Sequence, residues 1–271
     1  MLTRVCVDTH VGKDWAKGLT AKTDPRVARM AASRRGRKRG PYRIRARPPL
    51  TWTPEIAYAV GLVATDGNLS PSGRHVSVSS AEREVLETFL RCVERSAHIG
   101  TNRSGFGSLT LRVQIGDVGL NRWLQSIGLT PRKSHTIGAI DCPREVFPHL
   151  LRGLLDGDGS LVDGTYDGTG KARGRRYRVL KVRFISASET HVNWLRRRIA
   201  AEFGLSGSVR CEERVFRLTY NKRAAVQLLH RMYPEPDVPC LERKHLIWRR
   251  FQRECPKDAA RGKMSVPAQV V

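Results

Sequence analysis

The chain has 271 residues, of which 49 are Lys or Arg and 25 are Asp or Glu, so its formal net charge is +24. Hydrophobic residues make up 40% of it, which is enough to bury the core of one large domain or two smaller ones. The positive charge indicates a polyanionic partner, above all nucleic acid, with a merely soluble basic protein as the alternative, and the lack of a long apolar span argues against a membrane partner.

The six cysteines are scattered along the sequence. They form no Cys-x-x-Cys pair and no Cys/His spacing typical of zinc. The first residues, MLTRVCVDTH, lack the apolar core of a signal peptide. We therefore expect an intracellular protein in a reducing compartment, such as cytoplasm, nucleoid or organelle matrix. The cysteines are Cys6, Cys92, Cys142, Cys211, Cys240 and Cys255.

Residues 1–50 differ in composition from the rest of the chain. The stretch ASRRGRKRGPYRIRARPP is rich in arginine, contains no acidic residue and has few apolar residues that could pack. We interpret residues 1–50 as a basic N-terminal arm that follows a phosphate backbone, with a solvated linker as the alternative. A short helix is predicted near Asp24 and Pro25, so part of the arm could be a small DNA-binding module.

Regular periodicity begins after residue 50. Thr53, Pro54 and Glu55 are typical of a helix start, and the apolar run IAYAVGLVATDGNL follows them. Alternation predicts a strand over residues 75–79, and AEREVLETFLRCVERS is typical of an amphipathic helix. Another helix is predicted over residues 119–128. Between the two helices lies the strand SLTLRVQI, with Leu109, Leu111, Val113 and Ile115 on one face and Ser108, Thr110, Arg112 and Gln114 on the other.

The second half repeats this order of elements. Pro148 is predicted in the opening turn of the helix that contains LLRGLLDG, and residues 177–186 alternate as a strand. SETHVNWLRRRIAAEFG predicts a helix, SVRCEERVFRLTYN a hairpin, and residues 222–232 and CLERKHLIWRRF two more helices. Each half therefore has the outline helix–strand–strand–helix–strand–strand–helix, which indicates an internal duplication. The stretch VDGTYDGTGKARGRRYR has no counterpart in the first half, and we expect a long hairpin loop that extends phosphate contacts.

Two decapeptides carry the duplication most clearly. VGLVATDGNL and RGLLDGDGSL align Gly61 with Gly153 and Asp66 with Asp158, and the aspartates lie 158 − 66 = 92 residues apart. An Asp-Gly turn after a buried helix would explain a single copy, but two copies in the same context favour a shared function. Both decapeptides resemble the LAGLIDADG motif, and residues 51–255 resemble a single-chain, two-motif LAGLIDADG homing endonuclease.

The resemblance implies an α+β fold of two pseudo-twofold αββαββα lobes with antiparallel, saddle-shaped sheets. The first lobe would span residues 51–140 and the second 141–255, with a C-terminal tail over residues 256–271. A glycine inside a helix costs about 1 kcal/mol relative to alanine. Gly61 and Gly153 are therefore expected at a helix interface where two backbones touch. Parallel packing of those helices would bring both aspartates to one place.

Asp66 and Asp158 are the predicted catalytic and metal-binding residues. Acidic groups are unfavourable at the C-terminal end of a helix, and two carboxylates a few ångströms apart repel by about 1–4 kcal/mol. A divalent ion, Mg²⁺ above all, would relieve that conflict because it prefers carboxylate oxygens and bridges to phosphate. The resemblance implies that the backbone carbonyls of Thr65 and Gly157 add metal ligands. Asp156, whose counterpart in the first motif is an alanine, is expected to play a supporting role.

Two lysines and a glutamine complete the predicted catalytic set. TPRKSHTIG and LERKHLIW end the two halves and align Lys133 with Lys244. The resemblance implies that a basic residue there holds solvent near the scissile phosphate and stabilises the charge that develops in the reaction. A solvated lysine is the alternative for each one alone. Gln114, on the polar face of its strand, could also orient water.

The polar strand faces are the predicted DNA-binding surface. The resemblance implies that both open sheet faces lie in the major groove, where Arg can address guanine and Gln adenine for about 1–3 kcal/mol of discrimination per contact. An ordinary solvated sheet face is the alternative. His75, Ser77 and Ser79 form a similar but weaker row. The main set is Thr110, Arg112 and Gln114 in the first half and Lys181, Arg183, Arg217 and Thr219 in the second.

These features predict a site-specific homing endonuclease, a metal-dependent phosphodiester hydrolase that makes double-strand breaks in a long, asymmetric DNA target. It would be intron-encoded and monomeric, and its partner would be double-stranded DNA. The alternatives on the same scaffold are an RNA maturase that binds intron RNA and a DNA-binding regulator. An unrelated basic structural or ribosome-associated protein is a further alternative, which metal-dependent nicking of plasmid DNA would exclude.

Overall fold

The structure is a computed structural model that describes residues 16, 18–34, 50–103, 107, 109–170, 173–234 and 237–261. The chain divides into two compact units, Met1–Pro49 and Leu50–Val271. In the first unit, helix α1 spans Pro25–Arg34 and follows Asp24, whose Oδ1 accepts a hydrogen bond from the Arg26 backbone amide at 2.7 Å. The Arg26 guanidinium pairs with the same carboxylate and lowers the pKa of Asp24 to about 2. The arginine-rich stretch predicted to follow phosphates lies almost wholly outside the described residues.

The second unit contains two αββαββα repeats, as the sequence predicts. The first repeat begins where Thr53 caps a helix, its Oγ1 accepting a hydrogen bond from the Ile56 amide at 3.2 Å. Its elements are α2 (Pro54–Asp66), β1 (Gly67–Leu69), β2 (His75–Ser80), α3 (Arg83–Cys92), β3 (Ile99–Arg103), β4 (Leu109–Gly116) and α4 (Val118–Ser126).

The second repeat has the same order of elements and two further helices. Ser188 caps α6 by accepting a hydrogen bond from the His191 amide, and Gly204 ends that helix with φ 66°, a left-handed conformation that glycine adopts without strain. The elements are α5 (Phe147–Asp156), β5 (Ser160–Asp167), β6 (Arg176–Ser186), α6 (Glu189–Phe203), β7 (Ser208–Glu212), β8 (Val215–Asn221), α7 (Lys222–Met232), α8 (Glu242–Glu254) and α9 (Pro256–Arg261).

Each repeat builds one antiparallel four-stranded sheet, with strand orders β1-β2-β4-β3 and β5-β6-β8-β7. One face of each sheet packs into the core, because alternate residues such as Val76 and Val78, or Leu180 and Val182, are fully buried. The fold is therefore α+β, with two sheets of the same topology in one chain. Leu109 is an exception to the predicted apolar face: it is 66% exposed at the start of β4.

The β5–β6 hairpin corrects the loop predicted over residues 162–178. Both strands extend far into that stretch, with Asp167 paired to Arg176 and Tyr166 stacked on Tyr177 at 5.3 Å between ring centroids. Asp163 lies midway along β5 with a fully buried side chain, and Arg178 donates two hydrogen bonds to it, each at 2.5 Å. The second lobe therefore carries a longer hairpin than the first, whose β1 has only three residues.

The chain also keeps regular structure beyond residue 255. Helix α9 packs against the second repeat, where Ala259 is buried and the Asp258 carboxylate pairs with Lys222 at 2.6 Å. In the described part of the chain, no helix combines the length and the apolar character needed to cross a membrane.

Candidate functional site

Helices α2 and α5 touch backbone to backbone at two glycines. A Cβ atom placed on Gly61 would lie 2.6 Å from the Leu150 carbonyl oxygen and 2.7 Å from the Gly153 Cα atom. A Cβ atom on Gly153 would collide with the Tyr58 carbonyl oxygen and lie 3.0 Å from the Gly61 Cα atom. Only glycine leaves room for this contact, so these two residues set how closely the helices approach.

The contact continues to the C-terminal ends of both helices. Asp66 is the last residue of α2, and Gly157 follows the last residue of α5. A Cβ atom on Gly157 would collide with the Thr65 side chain and lie 2.8 Å from Asp66 Oδ2. The Thr65 hydroxyl donates to the Gly61 and Leu62 carbonyls of its own helix, at 3.2 and 3.1 Å. The end of α2 thus rests directly on the turn that leads to Asp158.

Asp66 and Asp158 interact with one another across this contact. Burial raises the pKa of Asp66 to about 6, and the neighbouring Asp158 charge raises it further in the same direction. Burial likewise raises the pKa of Asp158, while Lys133 and Lys244 act in the opposite direction. Two carboxylates that share a poorly solvated place disfavour each other's ionised form. The structure therefore has the electrostatic conflict that a shared cation would relieve.

The two predicted lysines are buried at the same helix ends. Lys133, in a 3₁₀ turn over Lys133–His135, is 4% exposed, and its ammonium donates to the Gly67 carbonyl just beyond α2. Lys244, in α8, is 3% exposed. Its Nζ donates to the carbonyl oxygens of Leu155 at 2.5 Å, Asp156 at 3.0 Å and Gly159 at 2.8 Å.

Both ammonium groups therefore cap carbonyls at the end of the motif helix in their own half. A helix leaves its last four carbonyls without partners and carries partial negative charge there, so a cation is favourable at that end. Burial lowers the pKa of Lys133 to about 8 and also lowers that of Lys244, while the aspartates oppose the shift. This capping role was not predicted from the sequence. It also affects Gly157, whose carbonyl, predicted to bind metal, lies 3.5 Å from Lys244 Nζ.

Asp156 links three helices beneath the site. The Tyr58 hydroxyl of α2 donates to its Oδ2 at 3.0 Å, and the Leu241 amide at the start of α8 donates to the same atom at 2.7 Å. Its Oδ1 is buried without a hydrogen-bond partner in the described part of the chain, and burial raises the pKa of the carboxyl to about 6. Asp156 thus connects both motif helices to the helix that carries Lys244.

The residues present fit a hard divalent ion at the meeting of the helix ends. The candidate donors are the carboxylates of Asp66 and Asp158, and oxygen donors are what Mg²⁺ and similar ions prefer. Asp66 Oδ2 lies at the crossing itself, as the close approach of Gly157 shows. Both carboxyl groups have raised pKa values because of burial, so an added positive charge would stabilise their ionised forms.

The open face of the second sheet forms a cavity of about 270 Å³ lined by charged and polar side chains. Its lining contains all four residues predicted to bind DNA in this half, together with Ser208, Arg210, Glu212 and Asn221. Glu212 pairs with Arg217 at 2.7 Å. The four additional residues were missed, although alternation along β7 places residues 208, 210 and 212 on one face. The predicted four are Lys181, Arg183, Arg217 and Thr219.

The corresponding residues of the first sheet bond mainly to one another. Arg112 Nη2 donates to Ser77 Oγ at 3.0 Å and to Gln114 Oε1 at 3.3 Å, and Ser77 is buried. The Thr110 hydroxyl donates to the Asn102 carbonyl at 3.2 Å. Gln114, predicted to orient water, therefore has its contacts on the sheet face, and sits opposite Ser77 in the β2–β4 register.

Comparisons with known proteins give distant likenesses. No family model matches the chain. A curated A-type ATP synthase protein of Methanopyrus kandleri is 27% identical over 110 residues, which are 41% of this chain and 10% of that protein. The chain therefore spans only a small part of that protein's length.

Among solved structures, full-length DUF199/WhiA from Thermatoga maritima is 11% identical, and the match covers 82% of this chain and 64% of that chain with a TM-score of 0.48. The I-LtrWI LAGLIDADG homing endonuclease bound to target DNA is 10% identical, covering 78% of this chain and 94% of that chain with a TM-score of 0.47. The LAGLIDADG meganuclease I-AabMI bound to uncleaved DNA is 12% identical, covering 79% and 99% with the same TM-score. At these identities and TM-scores, the likenesses by themselves say nothing about the chemistry of this chain.

Proposed function

We propose that this protein is a metal-dependent DNA endonuclease that cuts both strands of a long, asymmetric target. The observation that carries the proposal is the meeting of Asp66 and Asp158 at the ends of two touching helices, with both carboxyl pKa values raised by burial. A merely structural Asp-Gly turn gives no reason for two such turns to meet. The duplicated motif supplies one acidic group for each strand of a duplex.

The chain's own residues would perform distinct parts of the reaction. Asp66 and Asp158 would hold divalent ions, Mg²⁺ above all, with the Thr65 and Gly157 carbonyls as additional donors. Such an ion would supply Lewis-acid activation of water and would neutralise charge on the phosphate. Lys133 and Lys244 would add positive potential at the same place, which stabilises developing negative charge in a poorly solvated site.

The second sheet would provide the DNA contacts. Its cavity carries four basic side chains and one acidic one, a surplus of 4 − 1 = 3 positive charges. Arg183 and Arg217 can donate bidentate hydrogen bonds to guanine, and Glu212 can accept one from cytosine, in the manner of major-groove recognition. A monomer with two unequal sheets would suit a target without palindromic symmetry, and the net charge of +24 supports a double-stranded DNA partner.

The proposal is tested by Asp66→Asn and Asp158→Asn in the full-length protein. Cleavable sites are first selected from a randomised DNA library in the presence of Mg²⁺, and binding to the selected site is then measured without metal. We expect each variant to lose double-strand cleavage while retaining its affinity for the site. Asp141→Asn, at an exposed position between the lobes, is the matched control and should cleave normally. Full cleavage by either helix-end variant would contradict the proposal.

A second candidate is a DNA-binding protein that does not cleave. The observation in its favour is that both lysines are buried and already donate to backbone carbonyls, so the cluster has a purely structural use. This candidate predicts a site-specific complex that forms without metal and no nicking of DNA with Mg²⁺ or Mn²⁺. In both cases Arg217→Ala should weaken binding, so cleavage and not affinity distinguishes the two.

A further inference from the structure

A cysteine, a glutamate and a histidine converge where the chain enters α8. Cys240 Sγ lies 3.6 Å from His245 Nδ1, and Glu242 Oε2 lies 3.9 Å from the same nitrogen. The three potential ligand atoms all lie within 4.8 Å of one another. The spacing is Cys-x-Glu-x-x-His, so the prediction that no cysteine spacing suits zinc overlooked a set in which a carboxylate replaces the second cysteine.

These separations are close to those of a tetrahedral zinc site. Zinc binds sulfur at about 2.3 Å and imidazole nitrogen at about 2.0–2.1 Å, which places the two donors about 3.6 Å apart at the tetrahedral angle. A thiolate and a carboxylate together offset both charges of Zn²⁺, with imidazole as the neutral third donor. We propose that Cys240, Glu242 and His245 bind a Zn²⁺ ion, with the fourth position left to water on the exposed side of Glu242.

The surrounding contacts hold the donors in place. The Tyr233 ring stacks on the His245 imidazole with centroids 4.8 Å apart and an interplanar angle of 4°, which fixes the direction of Nδ1. Glu84 of α3 accepts a hydrogen bond from the Glu242 amide at 3.0 Å and so fixes the backbone between the ligands. Arg249 lies 4.0 Å from Glu242 Oε1, and Oε2, the oxygen nearer the histidine, is the one that would bind the ion.

A zinc ion here would act on the candidate site through Lys244. That residue lies between Glu242 and His245, and its ammonium caps the end of α5. Fixing the first turn of α8 at three points would fix the position of that ammonium. The proposed zinc site uses none of the helix-end aspartates, so it stands or falls independently of cleavage.

Cobalt binding tests the proposal, because a thiolate ligand gives a sulfur-to-cobalt charge-transfer band that oxygen ligands do not. The full-length, metal-free protein is titrated with Co²⁺ in excess Mg²⁺, which occupies the aspartate site. We expect the band to saturate at one equivalent and to disappear when Zn²⁺ is added. Cys240→Ser should abolish the band and weaken zinc binding by at least about 100-fold. Cys255→Ser, at the opposite end of α8 and also half-buried, should leave both unchanged.

Alkylation of the unmodified protein gives a second measurement that needs no variant. Zn²⁺ should slow the reaction of Cys240 with iodoacetamide by at least about tenfold, because a coordinated thiolate is no longer a free nucleophile. Exposed Cys211 is the internal reference and should react at the same rate with and without zinc. No charge-transfer band, a band that survives Cys240→Ser, or equal zinc effects on both cysteines would overturn the proposal.

Discussion

Replacing Gly61 by alanine should destabilise the protein, although alanine is the better helix former. The added methyl carbon would lie 2.6–2.7 Å from three backbone atoms of α5, whereas carbon contacts are comfortable at about 3.5–4.0 Å. The helices must therefore separate by about 1 Å. Overpacking of this kind costs about 1–3 kcal/mol, and the helix propensity of alanine returns up to about 1 kcal/mol, so we expect a net loss of about 1–2 kcal/mol.

Gly119→Ala is the matched control for this experiment. Gly119 is also helical, but it is exposed, and its added Cβ would meet only Asp117 Oδ1 at 3.4 Å. Here alanine should stabilise the protein by about 0.5–1 kcal/mol. Urea denaturation of metal-free protein measures both variants. If Gly61→Ala is as stable as the unmodified protein while Gly119→Ala gains stability, the helices do not touch as described. If the helices separate, DNA cleavage by Gly61→Ala should also fall, since Asp66 moves with its helix.

Three further predictions concern buried charges. Burial raises the pKa of Asp66 to about 6, so ionisation costs stability as pH rises from 4 through 6; Asp66→Asn should stabilise the metal-free protein by about 1–3 kcal/mol at pH 8 and by nothing at pH 4, as compared by urea denaturation. Lys244→Met should lower the free energy of unfolding by about 2–3 kcal/mol because it leaves buried carbonyls of α5 without a donor, and exposed Lys257→Met is the control that should change nothing. Asp163→Ala should cost about 2–4 kcal/mol, since it strips Arg178 of its buried partner; a midpoint of thermal unfolding unchanged from the parent protein would contradict this.

Local pattern predicted those elements in which pattern and burial coincide. The alternation in residues 108–115 and 177–186 predicts β4 and β6, and both strands bury one face. The capping signal at Thr53 and the glycine stop at Gly204 predict helix ends that the structure has. In each case a residue's own neighbours in sequence determine its environment, so a single sequence is sufficient.

Prediction failed where long-range pairing decides the structure. β1 and β3 were not identified because one has three residues and the other, IGTNR, has no alternating burial. The hairpin over residues 162–178 was assigned as loop because it is rich in glycine and charge, yet backbone pairing with β6 makes residues 160–167 a strand. The capping of Gly67 by Lys133 joins residues 66 apart in sequence, and no local pattern carries that information.

The buried lysines explain how the two acidic helix ends persist before any cation binds. Asp66 and Asp158 contribute two negative charges to a place where both helix ends are also partly negative, and Lys133 and Lys244 contribute two positive ones. Because the ammonium groups donate to the carbonyls, they neutralise the helix ends first and the carboxylates at longer range. The carboxylates thus keep raised pKa values despite the lysines, which leaves them able to gain from a divalent ion. A cluster whose charges were fully paired by direct salt bridges would have little affinity left for metal. Indirect compensation of this kind preserves the fold without using up the oxygens that the proposed reaction needs.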